Sequence, residues 1–403
     1  MSVIRRFSAC LLSLLFVIGG CASQQAPQTA TDNEEQTESL SPQEAQIREE
    51  AASEPPLNEV TEAPQETPLL RLAIIADMNG RYGSDQYDAE VVKSIDMIIA
   101  DRPDIVLNVG DMVAGQKAKL DYRKMWVGFH ATVTDRLKDA GILMAQVPGN
   151  HDGSAYDKYK NERDIYIDEW TNRKPDLDYV DDENYPLYYS FKIKGVFIVA
   201  LDATKLEPID DVQYQWLEKQ LANNPTEYGA VVFAHVPLFP ITTIKPTEIL
   251  RDNRLSDLFS KYHVQMVVTG HQHAYFPSKL NGVIYLHTGA LGGGPRPVRQ
   301  NDGIAPKTLT FVNLYKNHAP YIGTELIVDS EHVGKFNHNL LPTYIVFGNQ
   351  ILPRVDVELQ DAEFAREYMI SPHMTRSQML MLIEALRAND GNWGKLPDWR
   401  ESH

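Results

Sequence analysis

Short, nearly continuous apolar segments alternate with longer amphipathic stretches between residues 72 and 287. Segments such as 105–109 contain almost no polar residue, which is typical of strands in a sheet that is covered on both faces. The stretches between them have the length and the apolar periodicity of helices, and 211–222 begins with an aspartate suited to a helix N-cap. Repeated strand–helix–strand units predict an α/β layer architecture. The predicted strands are 72–76, 105–109, 142–147, 196–201, 230–234, 265–269 and 283–287, and the predicted helices lie near 86–100, 117–139, 157–172, 211–222 and 248–261.

The pattern becomes less regular after residue 294. Strands are predicted near 308–314, 320–328, 342–347 and 354–358, and a helix near 375–388. We therefore predict a core domain over residues 68–300 and a C-terminal extension over 301–403 that either completes this domain or caps it.

The charge of the chain is negative and uneven. The formal net charge is -17 over 403 residues, and residues 21–67 contain eleven acidic side chains and one arginine. An acidic surface repels phosphate backbones, so the charge argues against nucleic-acid binding. A small phosphorylated substrate is not excluded, because bound cations dominate the field close to a metal site. No sequence feature indicates an oligomeric state.

The N-terminus has the parts of an export signal. Arg5 and Arg6 precede an apolar run over 9–18 that is too short to span a bilayer, and small residues follow before Cys21. The run into Cys21 resembles a bacterial lipobox, in which the cysteine becomes the lipidated first residue. We predict a lipoprotein signal peptide over 1–20 and a lipid-anchored protein of the bacterial cell envelope. The alternative is an ordinary signal peptide that is cut near Cys21.

Residues 21–67 are predicted to be a disordered acidic tether. They are rich in Gln, Glu, Ala, Pro, Ser and Thr and have almost no aromatic or β-branched apolar residues. Such a segment buries too little apolar surface to offset the entropy of ordering. Both cysteines, Cys10 and Cys21, precede the predicted domain, so no disulfide and no cysteine ligand is available to it.

Polar residues of the metal-ligand type follow five of the predicted strands, at the point where each strand ends. Loops at strand ends are where the functional residues of α/β sheets cluster. A single Gly-Asp pair or a single histidine after a strand would have no functional meaning. Five strand ends that carry such groups in order are not explained by turns alone. Carboxylate and neutral imidazole are ligands that intermediate divalent and ferric ions accept. The five segments are Asp77-Met78-Asn79-Gly80, Gly110-Asp111, Gly149-Asn150-His151-Asp152, Ala234-His235 and Gly270-His271-Gln272-His273.

In this order the motifs resemble the calcineurin-like metallophosphoesterase superfamily, which includes the purple acid phosphatases. Its motifs are Asp-x-His, Gly-Asp, Gly-Asn-His-Asp/Glu, a single His and Gly-His-x-His, and four of the five match across residues 77–273. The resemblance implies a two-layered β-sandwich flanked by helices, with the site on loops at one edge. It also implies two metal ions, manganese, iron or zinc.

The resemblance assigns a role to each matched position. Asp111 would bridge the two metal ions, and His151 would protonate the leaving group, oriented by Asp152. A hydroxide bound between the ions would attack the phosphorus atom. The first ion would be bound by Asp77 and His273 and the second by Asn150, His235 and His271.

The chain departs from the family pattern at Asn79, where the family usually has a histidine. An amide oxygen still binds metals, but it is a harder and weaker ligand than imidazole. Purple acid phosphatases supply a tyrosine three residues after the bridging aspartate, and Ala114 stands there in this chain. No tyrosine ligand and no purple colour are therefore expected, although Tyr82 lies near enough in sequence to approach the site.

Two functional hypotheses from different classes remain. The first is an exported phosphoesterase, mono- or diesterase, that acts on a phosphorylated small molecule or on a cell-envelope substrate, with Arg296 as a candidate phosphate-binding residue. The second is a surface lipoprotein that keeps the fold as a binding module. Asn79 is the one feature in favour of the second hypothesis, and the other matched positions argue against it.

Overall fold

A computed structural model of the protein describes residues 63–301 and 305–374, together with the isolated positions 378, 381 and 388. The predicted signal peptide, most of the predicted tether and nearly all of the predicted helix near 375–388 lie outside the described residues. Within the described ranges, no helix combines the length and the apolar character needed to cross a membrane.

The described residues form short strands and helices in alternation. The helices are α1 (Ala89–Asp101), α2 (Tyr122–Phe129), α3 (Asp135–Asp139), α4 (Lys160–Asn172), α5 (Asp211–Ala222), α6 (Asn253–Lys261) and α7 (Leu359–Glu367), with a π-helical turn at His130–Thr134 between α2 and α3. The strands are β1 (Leu70–Ile75), β2 (Ile105–Asn108), β3 (Leu143–Gln146), β4 (Asp178–Asp181), β5 (Tyr189–Ile193), β6 (Val196–Ala200), β7 (Ala230–Ala234), β8 (Met266–Thr269), β9 (Phe276–Leu280), β10 (Val283–His287), β11 (Lys307–Leu314), β12 (Tyr321–Ile327), β13 (Val333–Lys335), β14 (Tyr344–Phe347) and β15 (Gln350–Pro353).

Two mixed sheets carry the fold. The first has the order β13-β12-β11-β1-β2-β3, and the second has the order β4-β5-β6-β7-β8-β10-β9. Strands β1, β2 and β3 run parallel, as do β6, β7, β8 and β10. The carboxyl ends of parallel neighbours meet at one edge of a sheet, so the loops that carry the predicted ligands are brought together there.

Alternate residues of β1 face different layers. Ile74 belongs to a buried cluster that contains Val199 of the second sheet, whereas Ile75 belongs to a cluster that contains Ile95 of α1 and Trp126 of α2. Because successive side chains of a strand point to opposite faces, the first sheet has the second sheet on one side and helices on the other. Burial of each such side chain contributes about 1.5–3 kcal/mol. The predicted two-layered sandwich with flanking helices is confirmed.

All seven strands predicted before residue 290 are present, with ends that shift by at most two residues. The structure also contains β4, β5, β9 and α7, which the sequence pattern did not indicate. The predicted helix near 248–261 begins only at Asn253, and residues 244–250 form turns instead. The strand predicted near 354–358 is wrong, because the strand in this region ends at Pro353.

Residues after 301 belong to two structures. Strands β11, β12 and β13 extend the first sheet, and β11 pairs antiparallel with β1. Strands β14 and β15 form a hairpin whose following residue, Arg354, bridges to Ser278 of β9. Arg354 is fully buried; it pairs with Asp356 and donates to the carbonyl oxygens of His338 and Leu341.

Candidate metal centre

Four of the predicted ligands lie in the left-handed backbone region just after a strand. The φ angles are 49° at Asp77, 57° at Asp111, 66° at His271 and 51° at His273. Residues other than glycine adopt this region seldom and at a cost, and such residues cluster at functional sites. The turns direct the side chains of separate strands toward one point.

Two loops of the site approach so closely that glycine is required. A Cβ atom on Gly149 would lie 2.1 Å from the amide nitrogen of Asp111, and one on Gly110 would lie 2.7 Å from the backbone of Gly149. His151 donates its backbone N–H to Asp111 Oδ1 over 2.8 Å. The second and third motifs therefore form a single packed unit.

The first cluster consists of Asp77, Asp111 and His273. One ligand atom of each lies within 4.8 Å of those of the other two. His273 Nε2 is 3.3 Å from Asp77 Oδ1, while its Nδ1 faces the carbonyl oxygen of Gly294 at 3.1 Å. A proton on Nδ1 satisfies that carbonyl group and leaves the lone pair of Nε2 directed at the carboxylate.

The second cluster is formed around His235. Its Nδ1 is 2.8 Å from the carbonyl oxygen of Val109, which fixes the ring. Its Nε2 lies 3.0 Å from Asn150 Oδ1, 3.3 Å from His271 Nδ1 and 3.3 Å from Asp111 Oδ1. Asp111 thus belongs to both clusters, which is the position that a bridging ligand must occupy.

These donor atoms fit cations. With the His235 Nδ1 proton donated to Val109, four electron-rich atoms of the second cluster face one another, and only positive charge makes such an arrangement favourable. Burial lowers the pKa of His235, but the charge and hydrogen bond of Asp111 outweigh it and raise the pKa to about 9, so without a metal ion a proton on Nε2 supplies the positive charge that a bound cation would replace. Burial raises the pKa of Asp111, but the histidines beside it hold that pKa well below the usual value. The carboxylate is therefore ionised and available to a metal.

The environment of His151 differs from the prediction. His151 Nδ1 lies 3.2 Å from the carbonyl oxygen of Gly115, so this backbone group orients the ring. The buried carboxylate of Asp152 accepts instead from the backbone N–H groups of Gly149, over 2.6 Å, and Met112, over 2.5 Å. The prediction that Asp152 orients His151 directly is wrong, because Asp152 holds the two ligand loops together.

A cavity of about 170 Å³ opens at the two clusters. Its lining includes the motif residues Asn79, Asp111, His151, His271 and His273, and also Tyr82 and Arg296. Arg296 donates from Nη1 to the carbonyl oxygen of His271 over 3.0 Å. His287 does not line this cavity; its buried ring contacts the carbonyl oxygen of Phe239. The cavity is lined by Asn79, Gly80, Tyr82, Asp111, Ala114, His151, Lys245, His271, His273, Gly293 and Arg296.

A sequence profile described as calcineurin-like phosphoesterase matches residues 70–275, which include every predicted ligand. The chain belongs to the calcineurin-like phosphoesterase family.

Two curated relatives are plant enzymes from Arabidopsis thaliana. The probable purple acid phosphatase 20 is 35% identical over 120 residues, which are 26% of this chain and 28% of the relative. The Fe(3+)-Zn(2+) purple acid phosphatase 12 is 35% identical over 94 residues, 22% of this chain and 20% of the relative. The chain therefore spans only about a quarter of the length of these relatives.

Solved structures with a similar backbone fold include two phosphatases. A purple acid phosphatase from yellow lupin (Lupinus luteus) seeds aligns with a TM-score of 0.48 at 17% identity, over 66% of this chain and 52% of that one. A dimetal phosphatase from Danio rerio aligns with a TM-score of 0.46 at 13% identity, over 67% of this chain and 99% of that one.

Asn79 is the position at which the chain departs from the expected motif. Its side chain lines the cavity and makes no hydrogen bond with any other described residue, whereas its backbone N–H donates to the carbonyl oxygen of Asp111 over 3.1 Å. The amide oxygen is thus free to approach a cation. Ala114, three residues after Asp111, also lines the cavity and supplies no side-chain ligand. Tyr82 stands at the rim, 54% exposed, with its ring 5.9 Å from that of His151.

Sequence reasoning missed three residues of this site: Lys245, Glu248 and Gln272. Glu248 lies at the start of a predicted helix, and Lys245 lies just before it in a segment for which no element was predicted. Gln272 stands between two predicted ligands, and its full burial could not be inferred from the motif. The sequence signal for these residues is weak, because a polar residue at an inward-facing position indicates a functional group only once the fold is known.

Proposed function

We propose that this chain is an exported, membrane-anchored hydrolase of the bacterial cell envelope that cleaves phosphate esters at a dinuclear metal centre. The observation that carries the proposal is the shared position of Asp111, which contacts both ligand clusters at the floor of one cavity. Family membership supports the same reaction class. The proposed substrate is a phosphorylated small molecule or a phosphate ester of the envelope.

The residues divide into two ligand sets around Asp111. With Asp111, the residues Asp77, Asn79 and His273 would hold one ion. The second ion would be held by Asp111 together with Asn150, His235 and His271. Two bound cations, manganese, iron or zinc, would lower the pKa of water and stabilise charge on the phosphoryl oxygens. The protein contributes a fixed geometry, because most of these side chains are buried and anchored by backbone groups.

His151 is placed to supply a proton to the leaving group. Its ring lines the cavity, and the Gly115 carbonyl accepts from Nδ1–H. The second proton of the imidazolium therefore sits on Nε2, and this proton passes to the oxygen of the departing alcohol. Arg296 is placed to bind the phosphoryl group, since one arm of its guanidinium is fixed by the His271 carbonyl and the side chain lines the cavity.

The test is a substrate screen with the purified, metal-reconstituted chain. Phosphomonoesters, phosphodiesters and nucleotides are compared, and the Asp111→Asn variant serves as the control. We expect turnover of at least one class that is lost with a chelator and in Asp111→Asn. Absence of turnover with bound metal would favour the binding-module hypothesis.

A further inference from the structure

The segment between β7 and α6 contributes a cation to the cavity wall that neither the family motifs nor the sequence pattern indicates. Lys245 lines the cavity beside His271 and Arg296. Its side chain is 34% exposed, so the ammonium group is reachable by a solute. The neighbouring Ile244 is 59% exposed, so this segment reaches the protein surface.

The backbone of this segment is clamped to the metal-ligand motif by Gln272. The side chain of Gln272 is completely buried. Its Oε1 accepts from the backbone N–H groups of Ile241, over 2.9 Å, and Thr242, over 3.1 Å. Its Nε2 donates to the carbonyl oxygens of Lys245, over 3.1 Å, and Glu248, over 3.0 Å. These four hydrogen bonds fix the position of Lys245 relative to His271 and His273, the predicted ligands on either side of Gln272.

The side chain of Lys245 is held as well. Glu248 Oε2 accepts from Lys245 Nζ over 2.5 Å and lies 3.3 Å from His271 Nε2. This carboxylate is the sole hydrogen-bond partner of Nζ within the part of the chain that the structure describes. An ammonium group has three donors, so two of them remain for a ligand in the cavity.

We propose that Lys245 is a specificity residue that binds a terminal phosphoryl oxygen and selects phosphomonoesters over phosphodiesters. This inference rests on the proposed hydrolase function. A monoester at neutral pH carries about two negative charges and three terminal oxygens, whereas a diester carries one charge and two such oxygens. Two metal ions can bind two oxygens, so the fixed cations beside them, Lys245 together with Arg296, stabilise the third oxygen, which only the monoester has.

The test compares Lys245→Gln with the wild-type full chain, both loaded with manganese. For nitrophenyl phosphate we expect kcat/KM to fall about 10- to 100-fold, as for a lost charge-assisted hydrogen bond, mainly through KM. For bis(nitrophenyl) phosphate we expect a change below about threefold. Titration calorimetry with inorganic phosphate should show a Kd that is weaker by at least about tenfold, which gives a readout independent of turnover.

Two further variants control the experiment. Lys245→Arg keeps the charge and should retain most of the preference for the monoester. Lys261→Gln removes a lysine at the end of α6 that pairs with Glu218 of α5, outside the cavity, and this variant should behave as wild type. Equal losses for both esters, or phosphate binding that Lys245→Gln leaves unchanged, would overturn the inference. Lost metal in Lys245→Gln and Lys245→Arg alike would assign Lys245 a structural role and overturn it too. A wild-type chain that hydrolyses neither ester would instead contradict the proposed function.

Discussion

His151 is the proposed general acid of the site. Its ring lines the cavity with Nδ1 against the Gly115 carbonyl oxygen. Replacement by alanine should lower the rate about 10²- to 10⁴-fold for alkyl phosphates, because a poor leaving group needs the proton. Nitrophenolate leaves without this help, so nitrophenyl phosphate should lose less. Steady-state kinetics with both esters measures the difference, and equal losses at unchanged metal content would assign His151 to substrate binding or structure.

Asn79 decides the composition of the first metal site. If its amide oxygen is a ligand, this site has oxygen ligands from three residues and one nitrogen from His273, a mixture that favours manganese or iron over zinc. Asn79→Ala should lower the metal content from about two ions toward one and reduce turnover, because both ions act on the substrate. Asn79→His should restore the second ion and shift the preference toward softer metals. Mass-spectrometric metal analysis after reconstitution gives the answer; two ions with unchanged selectivity in Asn79→Ala would contradict this ligand assignment.

The residues that could be identified from the sequence are those whose chemical type alone is informative. Asp77, Asp111 and His235 are carboxylate and imidazole groups at strand ends, and the structure brings them to one point. The contact of Asp152 could not be predicted, since two adjacent residues on a tight turn can face different ways. Lys245 was missed for a related reason, because its place in the cavity depends on tertiary contacts of Gln272.

At the level of elements, β10 carries a buried titratable group, His287. Burial lowers the pKa of His287 from its ordinary value of 6.5 to about 4. Below pH 6.5 His287 becomes protonated in the unfolded chain but stays neutral in the folded protein. The free energy of unfolding is therefore at its full value above pH 6.5 and decreases as the pH falls toward 4. The contribution of His287 to this loss is of the order of 2 kcal/mol between pH 7.5 and pH 5.

The variant His287→Gln isolates this contribution, because the amide retains a donor for the Phe239 carbonyl oxygen. Urea unfolding at pH 7.5 and pH 5 should show a smaller stability loss for the variant than for the wild type. An identical pH dependence of the free energy of unfolding in the two proteins would show that His287 is not buried as a neutral group.

Strands and helices were predicted correctly where the residue pattern of the segment alone indicates them. Strands such as β2 and β7 are buried along their whole length, and their apolar runs are visible in the sequence. Strand β4 alternates exposed and half-buried residues at the edge of its sheet, and β9 contains Pro277 and Lys279, so neither shows an apolar run. The false helix start at 248 has a tertiary cause, since the Gln272 side chain holds the carbonyl oxygen of Glu248.

At the scale of the whole molecule, the proposed membrane anchor rests on the sequence before the tether. Cys21→Ser should prevent lipid attachment, so the variant should leave the membrane fraction and appear in the detergent-free extract. Fractionation and intact-mass analysis of the wild type and the variant are the measurements. A wild-type protein that carries no lipid and is already free of the membrane would refute the lipobox interpretation.

The layered architecture was predictable as a whole because strand order and helix alternation admit few arrangements. It was less predictable how the residues after 301 divide between the two sheets. Strand β11 joins the first sheet beside β1, whereas the β14–β15 hairpin packs near β9 of the second. Both are short-strand segments with similar composition, and only their long-range pairing partners distinguish them.

We propose that a dinuclear centre shared through Asp111 hydrolyses phosphate esters. The most direct measurement is the number of metal ions bound per chain, determined by mass spectrometry in parallel with aryl phosphate turnover during stepwise metal addition to chelator-stripped protein. We predict that turnover rises with occupancy and reaches its maximum at about two ions per chain, and that Asp111→Asn binds fewer ions and shows no turnover. Full turnover in metal-free protein, or about two bound ions without any turnover, would contradict the account.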